Sequence, residues 1–514
     1  MQSSVPDRVG GLLADVDEVR RRASAGLAET RKADLGQFFT PASVAHLMAS
    51  MFGTGRRSVR LLDPGAGVGS LTAAWVDILC CQPDRPDKVE LTAVELDGSL
   101  LPALRTTMDA CRAACEGAGI ECRTEIRHAD FIELSVETLE SGFFQRERPA
   151  YDLAILNPPY RKLRTESRAR QILRRIGADC TNLYAAFLSL VVEQLIEGGE
   201  FVAITPRSFC NGPYFRRFRR QLLQSVSLSR LHIFESRLEA FSDDEVLQEN
   251  VILHARKSAM QDPFVKLTHS AGPNDPEIVS HMVPFEQVVQ PHDDESFIHF
   301  TLGDHGKAVA DAVRGLPCSL ADLGLKVSTG RVVDFRAREH LRQEPAAGTA
   351  PLLYSVHFSS GRIVWPRLGS RKPNAIVHED GTAALLLPAG HYVLVKRFSS
   401  KEEPRRVVAA VLDPADVPGH WIGIENHLNY FHANGRPIPS LLARGLATFL
   451  NSTIVDTYFR QFNGHTQVNA TDLRMLRYPN RETLTRIGQE AGSTGCSQEA
   501  TDKLIEEALL AVVG

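Results

Sequence analysis

Several features are missing from this chain of 514 residues, and each absence excludes a class of protein. It has no apolar run long enough to span a bilayer, and its amino terminus lacks a cationic start followed by an apolar core. The 9 cysteines include no CxxC pair, which predicts reduced structural thiols and no metal site. The net charge of -4 predicts no nucleic-acid partner by itself. We therefore expect a cytoplasmic protein without metal or membrane segment.

Strand-like apolar runs alternate with helical stretches between about residues 59 and 255. The runs are VRLLD (59–63), VELTAVEL (89–96), AILN (154–157), EFVAIT (200–205) and ENVILHA (249–255). Such alternation predicts an α/β fold with a doubly wound, mostly parallel, Rossmann-like sheet that carries helices on both faces. Residues 8–33 show the apolar spacing of a helix.

After about residue 300 the pattern changes to short strands, loops rich in Gly and Pro, and one late helix over 441–462. This change predicts a second, mixed α+β domain. We expect four parts in all: an amino-terminal helical segment (1–35), a catalytic domain (36–258), a linker region (259–300) and a second domain (301–514).

The run LLDPGAGVGSLTAAW places a strand, a turn containing Gly65 and Gly67, and a helix in succession. Such a turn lets a ligand approach the backbone, although a tight junction without a ligand explains the turn equally well. Glu95 ends the next strand, where an acid can bind ribose hydroxyls. Asp63 would repel a pyrophosphate and attract a cationic amino-acid group, which favours S-adenosylmethionine over NAD.

A third strand end, HADFIEL, supplies Asp130 and Phe131. The carboxylate can accept a hydrogen bond from an adenine amino group, and the ring can cover the base. Taken alone, an aspartate at this place is more often a helix cap.

The stretch YDLAILNPPY (151–160) ends a strand with an amide, two prolines and an aromatic ring. An exocyclic amine on an aromatic ring is a poor nucleophile, because its lone pair is delocalised. The Asn157 side-chain carbonyl and the Pro158 backbone carbonyl can each accept one N–H and localise that lone pair towards a methyl donor. Tyr160 offers a ring on which a base can stack. The alternative, a strand-ending turn with a packed tyrosine, is disfavoured because three cofactor elements precede the motif in order.

These motifs together carry a family resemblance. In the order GQFFTPASVAHLM, LLDPGAGVGSL, AVELD, HADF, NPPY, NLYAAFLSLVVEQLIEGGEFVAITP and FSDDEVLQENVIL, the chain resembles the gamma class of N6-adenine DNA methyltransferases from restriction-modification systems. The match spans about residues 36–255. It implies methyl transfer from S-adenosyl-L-methionine to N6 of a flipped-out adenine at a specific site in double-stranded DNA, with a separately encoded restriction endonuclease as a partner.

The same resemblance assigns further residues. It implies that Thr40 and Pro41 close over the methionine end of the cofactor and that Phe187 lies near the cofactor. It also implies that Phe241 stacks on the flipped adenine, although the SDDE loop after it is acidic. A core position explains Phe187 equally well, since it shares a helical face with Leu183.

Candidate DNA contacts lie in two regions. The basic run RKLRTESRARQILRR follows the NPPY turn, and its position predicts phosphate contacts, although such a run is usually a solvated helical face. The second domain loosely resembles target-recognition regions, and STGRVVDFR (328–336) and QFNGHTQVNATDLRML (461–476) contain groups that can read base edges. Hydrogen bonding within its own loop explains any single candidate residue of the second domain equally well. The candidates are Arg161, Lys162, Arg164, Arg331, Arg336, His465, Gln467 and Asn469.

Two other functions stay open at this point. One is a methyltransferase that acts on a protein glutamine amide or an RNA base amine, which the GQFFTP element and the large second domain disfavour. The other is a catalytically silent DNA-specificity module, which the intact NPPY turn and cofactor acids disfavour. We expect adenine N6 as the target and not cytosine N4, because Asn157 is the first residue of the turn. This argument rests on the resemblance alone.

Overall fold

The computed structural model describes residues 11–26, 39–53, 55–141, 150–178, 180–234, 249–275, 277–399, 405–464, 467–492 and 497–513. Contacts divide the chain into two compact units, one ending at Phe300 and the other beginning at Thr301. Within the described residues, no helix has the length and apolar character needed to cross a bilayer. Nor does this part of the chain group His, Cys, Asp and Glu side chains as a metal ion would need.

The first unit is built on a nine-stranded sheet. Its strands are β1 (Ser58–Pro64), β2 (Lys88–Glu95), β3 (Glu121–His128), β4 (Tyr151–Leu156), β5 (Leu195–Pro206), β6 (Val226–Phe234), β7 (Asn250–Lys257), β8 (Phe264–Ser270) and β9 (Val279–Pro284). Their order is β3-β2-β1-β4-β5-β7-β6-β8-β9. Strands β1 to β5 pair in parallel, whereas β7 runs antiparallel to β5 and β6. The predicted doubly wound, mostly parallel sheet is confirmed.

Helices cover both faces of this sheet. They are α1 (Gly11–Gly26), α2 (Ala42–Ala49), α3 (Ser70–Cys81), α4 (Leu101–Gly117), α5 (Phe131–Ser141), α6 (Arg168–Arg175), α7 (Leu183–Gln194), α8 (Arg216–Ser225) and α9 (Phe285–Val288). On one face, Leu61 and Leu153 share a core with apolar residues of α1 to α4. The alternate residues Leu62 and Ala154 are also buried, so the opposite face is covered too.

The predicted linker 259–300 differs from the structure. Strands β8 and β9 extend the sheet beyond β6, with β8 parallel to β6 and antiparallel to β9. Val265 and Leu267 are fully buried. The prediction was wrong because turn-forming residues at either end of the segment obscured the pattern of two short strands. These strands become stable only when they pair with the existing sheet edge.

The second unit contains two sheets and six α-helices within the described residues. The strands are β10 (Lys326–Thr329), β11 (Leu341–Arg342), β12 (Thr349–Leu353), β13 (Phe358–Ser359), β14 (Arg362–Ile363), β15 (Ala375–Val377), β16 (Leu386–Pro388), β17 (Tyr392–Lys396), β18 (Ala409–Leu412), β19 (Trp421–Ile424) and β20 (Leu428–His432). One sheet has the order β10-β20-β17-β18-β14-β13 and the other β11-β15-β12-β19-β16. The helices are α10 (Gly303–Arg314), α11 (Ser440–Leu450), α12 (Thr453–Phe462), α13 (Ala470–Met475), α14 (Arg481–Glu490) and α15 (Gln498–Val513).

The single helix predicted over 441–462 is interrupted at Asn451 and Ser452, between α11 and α12. The Asn451 amide exchanges two hydrogen bonds with the backbone of Ala409 in β18, both of 2.9 Å. Ser452 caps α12 by accepting from the Val455 N–H. Side chains that bond to backbone groups in this way compete with helix continuation.

Candidate active site

The carboxyl ends of β1 to β4 surround a cavity of about 360 Å³. The strand order reverses between β1 and β4, the switch point where open α/β sheets bind ligands. The cavity is lined by residues that follow each of these strands, including Gly65, Glu95, Asp130 and Asn157. The structure thus brings together the four motifs that the sequence placed at strand ends.

The glycine turn adopts the backbone conformation that glycine favours. Gly65 and Gly67 have φ values of 74° and 58°. A Cβ atom on Gly67 would lie 3.3 Å from the ring of Phe39, so a side chain there would press on the cavity wall. Phe39 itself lines the cavity. Phe39 was not among the predicted site residues, although it lies within the GQFFTP element.

Glu95 is held rigidly against this turn. One carboxylate oxygen, Oε2, accepts from the Gly67 N–H at 2.8 Å, and the other, Oε1, accepts from the Asp97 N–H at 2.7 Å. Burial raises the pKa of Glu95, while these backbone donors oppose the rise. Each carboxylate oxygen has a second lone pair, so the fixed carboxylate can also accept from ligand hydroxyls.

Asp63 lies at the base of the turn and is 1% exposed. Its Oδ2 accepts from the Thr72 hydroxyl at 2.7 Å, while Oδ1 is buried without a hydrogen-bond partner among the described residues. Asp63 is not among the residues that line the cavity. A buried carboxylate oxygen next to the cavity can pair with the cationic amino-acid end of S-adenosylmethionine, so these residues fit this cofactor.

We expect Asp63 to make the cofactor-free protein less stable as pH rises. Burial raises the pKa of Asp63 from 3.8 to about 7, so between these values the folded chain binds a proton that the unfolded chain releases. Stability therefore falls across that range and levels off above it. Asp63→Asn, which cannot ionise, should gain melting temperature relative to wild type progressively from about pH 4 to pH 7.

Thermal melting from pH 4.5 to 8 without cofactor measures this effect. The exposed Asp84 provides the matched control Asp84→Asn. A constant difference between Asp63→Asn and wild type at every pH would contradict the expectation.

The third strand end combines a cap with an apolar wall. Asp130 Oδ1 accepts from the backbone N–H groups of Ile132 at 2.8 Å and Glu133 at 3.3 Å, at the start of α5. The capping role is therefore real, and any adenine amine would use the other oxygen. The ring centroids of Phe131 and Phe187 lie 4.9 Å apart, and both residues line the cavity. Phe187 is thus both buried and at the site.

The NPPY turn is joined to the start of α2 by one hydrogen bond. The Asn157 Nδ2 donates to the Thr40 hydroxyl oxygen at 3.0 Å, across 117 positions of the chain. Pro41 precedes α2, and its carbonyl accepts from the Ala45 N–H at 2.9 Å, which fixes the position of the neighbouring Thr40. Because the amide nitrogen is directed at Thr40, the carbonyl oxygen of Asn157 is oriented as well.

The basic residues after Tyr160 line the same cavity, whereas Tyr160 itself is not among its lining residues. The Tyr160 hydroxyl donates to the Ile204 carbonyl oxygen at 3.4 Å, and burial raises the Tyr160 pKa. Arg161, Lys162 and Arg164 are exposed and line the cavity rim. The Leu163 N–H donates to the Thr181 carbonyl at 2.8 Å, so this rim is anchored rather than pendant.

The remaining candidates have different outcomes. Phe241 and His465 lie outside the described residues. Arg331 donates to the backbone carbonyls of Ala384 and Leu386, both at 3.2 Å. Gln467 accepts from Arg397 at 3.2 Å.

Asn469 forms a capping box with Asp472 at the start of α13. Arg336 is exposed, with its guanidinium 5.5 Å from the ring centre of Phe335. The sequence stretches that suggested base reading thus contain residues that stabilise their own loops, and Arg336 stays a candidate.

Comparisons with known proteins agree with this geometry. The family described as Eco57I restriction-modification methylase matches residues 118–241. The Type II methyltransferase M.PstI of Providencia stuartii is 43% identical over 494 residues, which cover 96% of each chain. The Type II methyltransferase M.BsuBI of Bacillus subtilis is 43% identical over 504 residues, covering 97% of this chain and 98% of that protein.

A solved structure supports the fold. The cryo-electron microscopy structure of a DrdV–DNA complex matches 93% of this chain and 59% of its own chain, with a TM-score of 0.51 and 14% identity. The fold and the cavity together define an S-adenosylmethionine-dependent methyltransferase. The two near full-length relatives carry the assignment further: the chain belongs to the type II DNA methyltransferases of restriction-modification systems.

Proposed function

We propose that the protein methylates N6 of adenine at a specific site in duplex DNA, as the modification component of a restriction-modification system. The hydrogen bond from Asn157 Nδ2 to Thr40 carries the proposal, since it fixes the orientation of the Asn157 amide at the end of β4. A separately encoded restriction endonuclease would recognise the same site.

Different cavity residues would bind different parts of the cofactor. Glu95 would accept from the ribose hydroxyls, and Asp130 would accept from the adenine amine through Oδ2. Phe39, Phe131 and Phe187 supply apolar cover for the base. The methionine end would be held by Asp63, Thr40, Pro41 and the glycine turn of Gly65 and Gly67. When bound, S-adenosylmethionine supplies an electrophilic methyl group on its sulfonium.

The NPPY turn prepares the target amine. The Asn157 Oδ1 and the Pro158 carbonyl oxygen each accept one N–H of the adenine amine, which turns its lone pair towards the methyl group. These acceptors would hold the amine so that its nitrogen can take the methyl group as the sulfonium becomes a neutral thioether, and the proton lost by the amine would pass to solvent. Tyr160 and Phe241 stack on the flipped base and compensate for the lost stacking in the duplex.

The cations that follow the turn contact the DNA backbone. Arg161, Lys162 and Arg164 lie at the cavity rim with exposed side chains, where phosphates of the flipped nucleotide would pass. Recognition of the site belongs to the second unit, residues 301–514.

Thr40→Val should lower kcat on the order of tenfold, because it removes the acceptor that orients the Asn157 amide while keeping the shape of the side chain. Thr40→Ser keeps the hydroxyl and should retain most of the activity. Steady-state methyl transfer at saturating DNA and cofactor separates this kcat effect from any change in cofactor KM. Equal kcat values for the Val variant and wild type would argue against the positioning role.

The proposal is tested by incubating the full chain with unmethylated plasmid DNA and S-adenosylmethionine, digesting the DNA to nucleosides and measuring each by mass spectrometry. We expect N6-methyldeoxyadenosine, and sequencing of the methylated plasmid then maps the site. Detection of N4-methyldeoxycytidine instead would show that the target base is cytosine and not adenine. The absence of any methylated nucleoside, with cofactor binding intact, would contradict the proposed substrate.

A further inference from the structure

Two loops of the second unit meet and form what we name the basic loop surface, residues 333–338 and 366–372. They lie side by side because each is followed by a short strand, and these strands, β11 and β15, pair antiparallel. An ion pair of 2.9 Å between Lys372 Nζ and Asp334 Oδ2 joins the two loops directly. Of these two loops, only residues 333–336 lie within the STGRVVDFR stretch that the sequence suggested.

The charge of this surface is strongly positive. Its single acid, Asp334, is already engaged by Lys372 and by the Tyr354 hydroxyl, which donates to Asp334 Oδ1 at 2.8 Å. The basic side chains are all exposed: Arg336, Arg338, Arg367, Arg371 and Lys372. A chain with a net charge of -4 therefore concentrates cations here.

Two large apolar side chains project among these cations. Phe335 is 77% exposed and Leu368 is 72% exposed. Single exposed apolar residues are common on protein surfaces. Here each is flanked by arginine within its own loop, and the Arg336 guanidinium lies 5.5 Å from the centre of the Phe335 ring. A groove of duplex DNA presents phosphates, which cations can contact, and base edges, which apolar side chains can contact.

The second loop is held in shape by Asn374, which is fully buried. Its Oδ1 accepts from the Arg367 N–H at 2.8 Å, and its Nδ2 donates to the Arg367 carbonyl at 3.2 Å. The Trp365 indole donates to the Asn374 carbonyl at 2.7 Å. A loop fixed from beneath loses little entropy when its exposed side chains bind a partner.

We propose that the basic loop surface binds the duplex DNA target, with its cations on phosphates and with Phe335 and Leu368 against base edges in a groove. This inference rests on the proposed function for the identity of the DNA. It assigns site recognition to residues other than Arg331 and Gln467, whose polar groups bond within the second unit.

The cationic part is tested with the double variant Arg336→Ala, Arg371→Ala in the full chain. Fluorescence anisotropy follows binding to a labelled duplex that contains the mapped site, and to one of equal length without it, over a range of salt concentrations. Loss of two phosphate contacts should lower affinity for both duplexes on the order of tenfold and reduce the salt slope by about 2. Arg486→Ala, an exposed arginine on α14, is the matched control.

The apolar part is tested with Phe335→Ala, Leu368→Ala. We expect the preference for the mapped site over the second duplex to fall on the order of tenfold, with the salt slope unchanged. Met260→Ala, which removes a side chain that is 79% exposed in the first unit, is the control. An unchanged preference would show that Phe335 and Leu368 read no bases.

Unchanged affinity and salt slope in the double arginine variant would overturn the proposed DNA surface. Because binding is measured without turnover, this outcome is distinct from failure of the proposed function. A wild-type protein that methylated no DNA would leave no site to map, and the loss of affinity in the double arginine variant would then be measured on the second duplex alone.

Discussion

Asn157→Ala is expected to reduce methyl transfer roughly 100-fold or more while leaving cofactor affinity within about twofold. The alanine has no side-chain carbonyl, so one of the two acceptors that we propose localise the lone pair of the amine is lost. Glu95 and Asp130, which we propose bind the cofactor, keep their backbone hydrogen bonds, which do not involve Asn157. Single-turnover transfer of a labelled methyl group, with cofactor affinity measured by calorimetry, separates the two effects.

Asn157→Asp is the informative companion to the alanine variant. Its carboxylate keeps an acceptor at the same place, and the Thr40 hydroxyl can then donate to it rather than accept. We expect activity between wild type and the alanine variant. Full activity in Asn157→Ala would refute the mechanism, whereas equal losses of transfer and of cofactor affinity would assign Asn157 to cofactor binding.

The second large effect concerns stability. Helices α11 and α14 cross backbone to backbone at Gly445 and Gly488. A Cβ atom on Gly445 would lie 1.7 Å from the Leu484 carbonyl oxygen, and one on Gly488 would lie 1.9 Å from the Leu441 carbonyl oxygen. Gly445→Ala should therefore lower the free energy of unfolding of the second unit by about 3 kcal/mol, because separating the helices outweighs the higher helix propensity of alanine.

Denaturant unfolding followed by tryptophan fluorescence measures this loss, since Trp365 and Trp421 belong to the second unit. The control is Gly306→Ala in α10, where the added Cβ would meet its nearest neighbour, Gln461 Nε2, at an ordinary 3.6 Å. We expect the control to be neutral or slightly stabilising. Equal unfolding midpoints for Gly445→Ala and the control would show that the helices separate without cost.

Local patterns predicted the catalytic half of the molecule well, because its strand, turn and helix signals are contiguous in sequence. The β1 strand, the glycine turn and α3 follow one another without interruption, so Gly65 and Gly67 could be placed correctly. The two alternatives for Asp130 proved compatible, since one oxygen caps α5 and the other remains for a ligand. Phe187 likewise serves both the core and the cavity.

Predictions failed where an element depends on a distant partner. The strands β8 and β9 are short and bounded by turn residues, and they form only by pairing with the edge of a sheet that begins some 200 positions earlier. The helix over 441–462 has a continuous apolar pattern, but the Asn451 side chain bonds to β18 and interrupts it. The polar residues Arg331 and Gln467 also form tertiary contacts within the second unit that no local pattern indicates, and their role in base reading stays a prediction.

The sequence by itself determined the chemical groups at the strand ends, their order along the chain and hence the class of reaction. Only the tertiary structure decided which of these groups meet: Thr40 with Asn157 across 117 positions, and the loop of Phe335 with the loop of Leu368. The reason is physical. Propensity and periodicity act over a few residues, whereas contacts between distant side chains depend on how every intervening element packs.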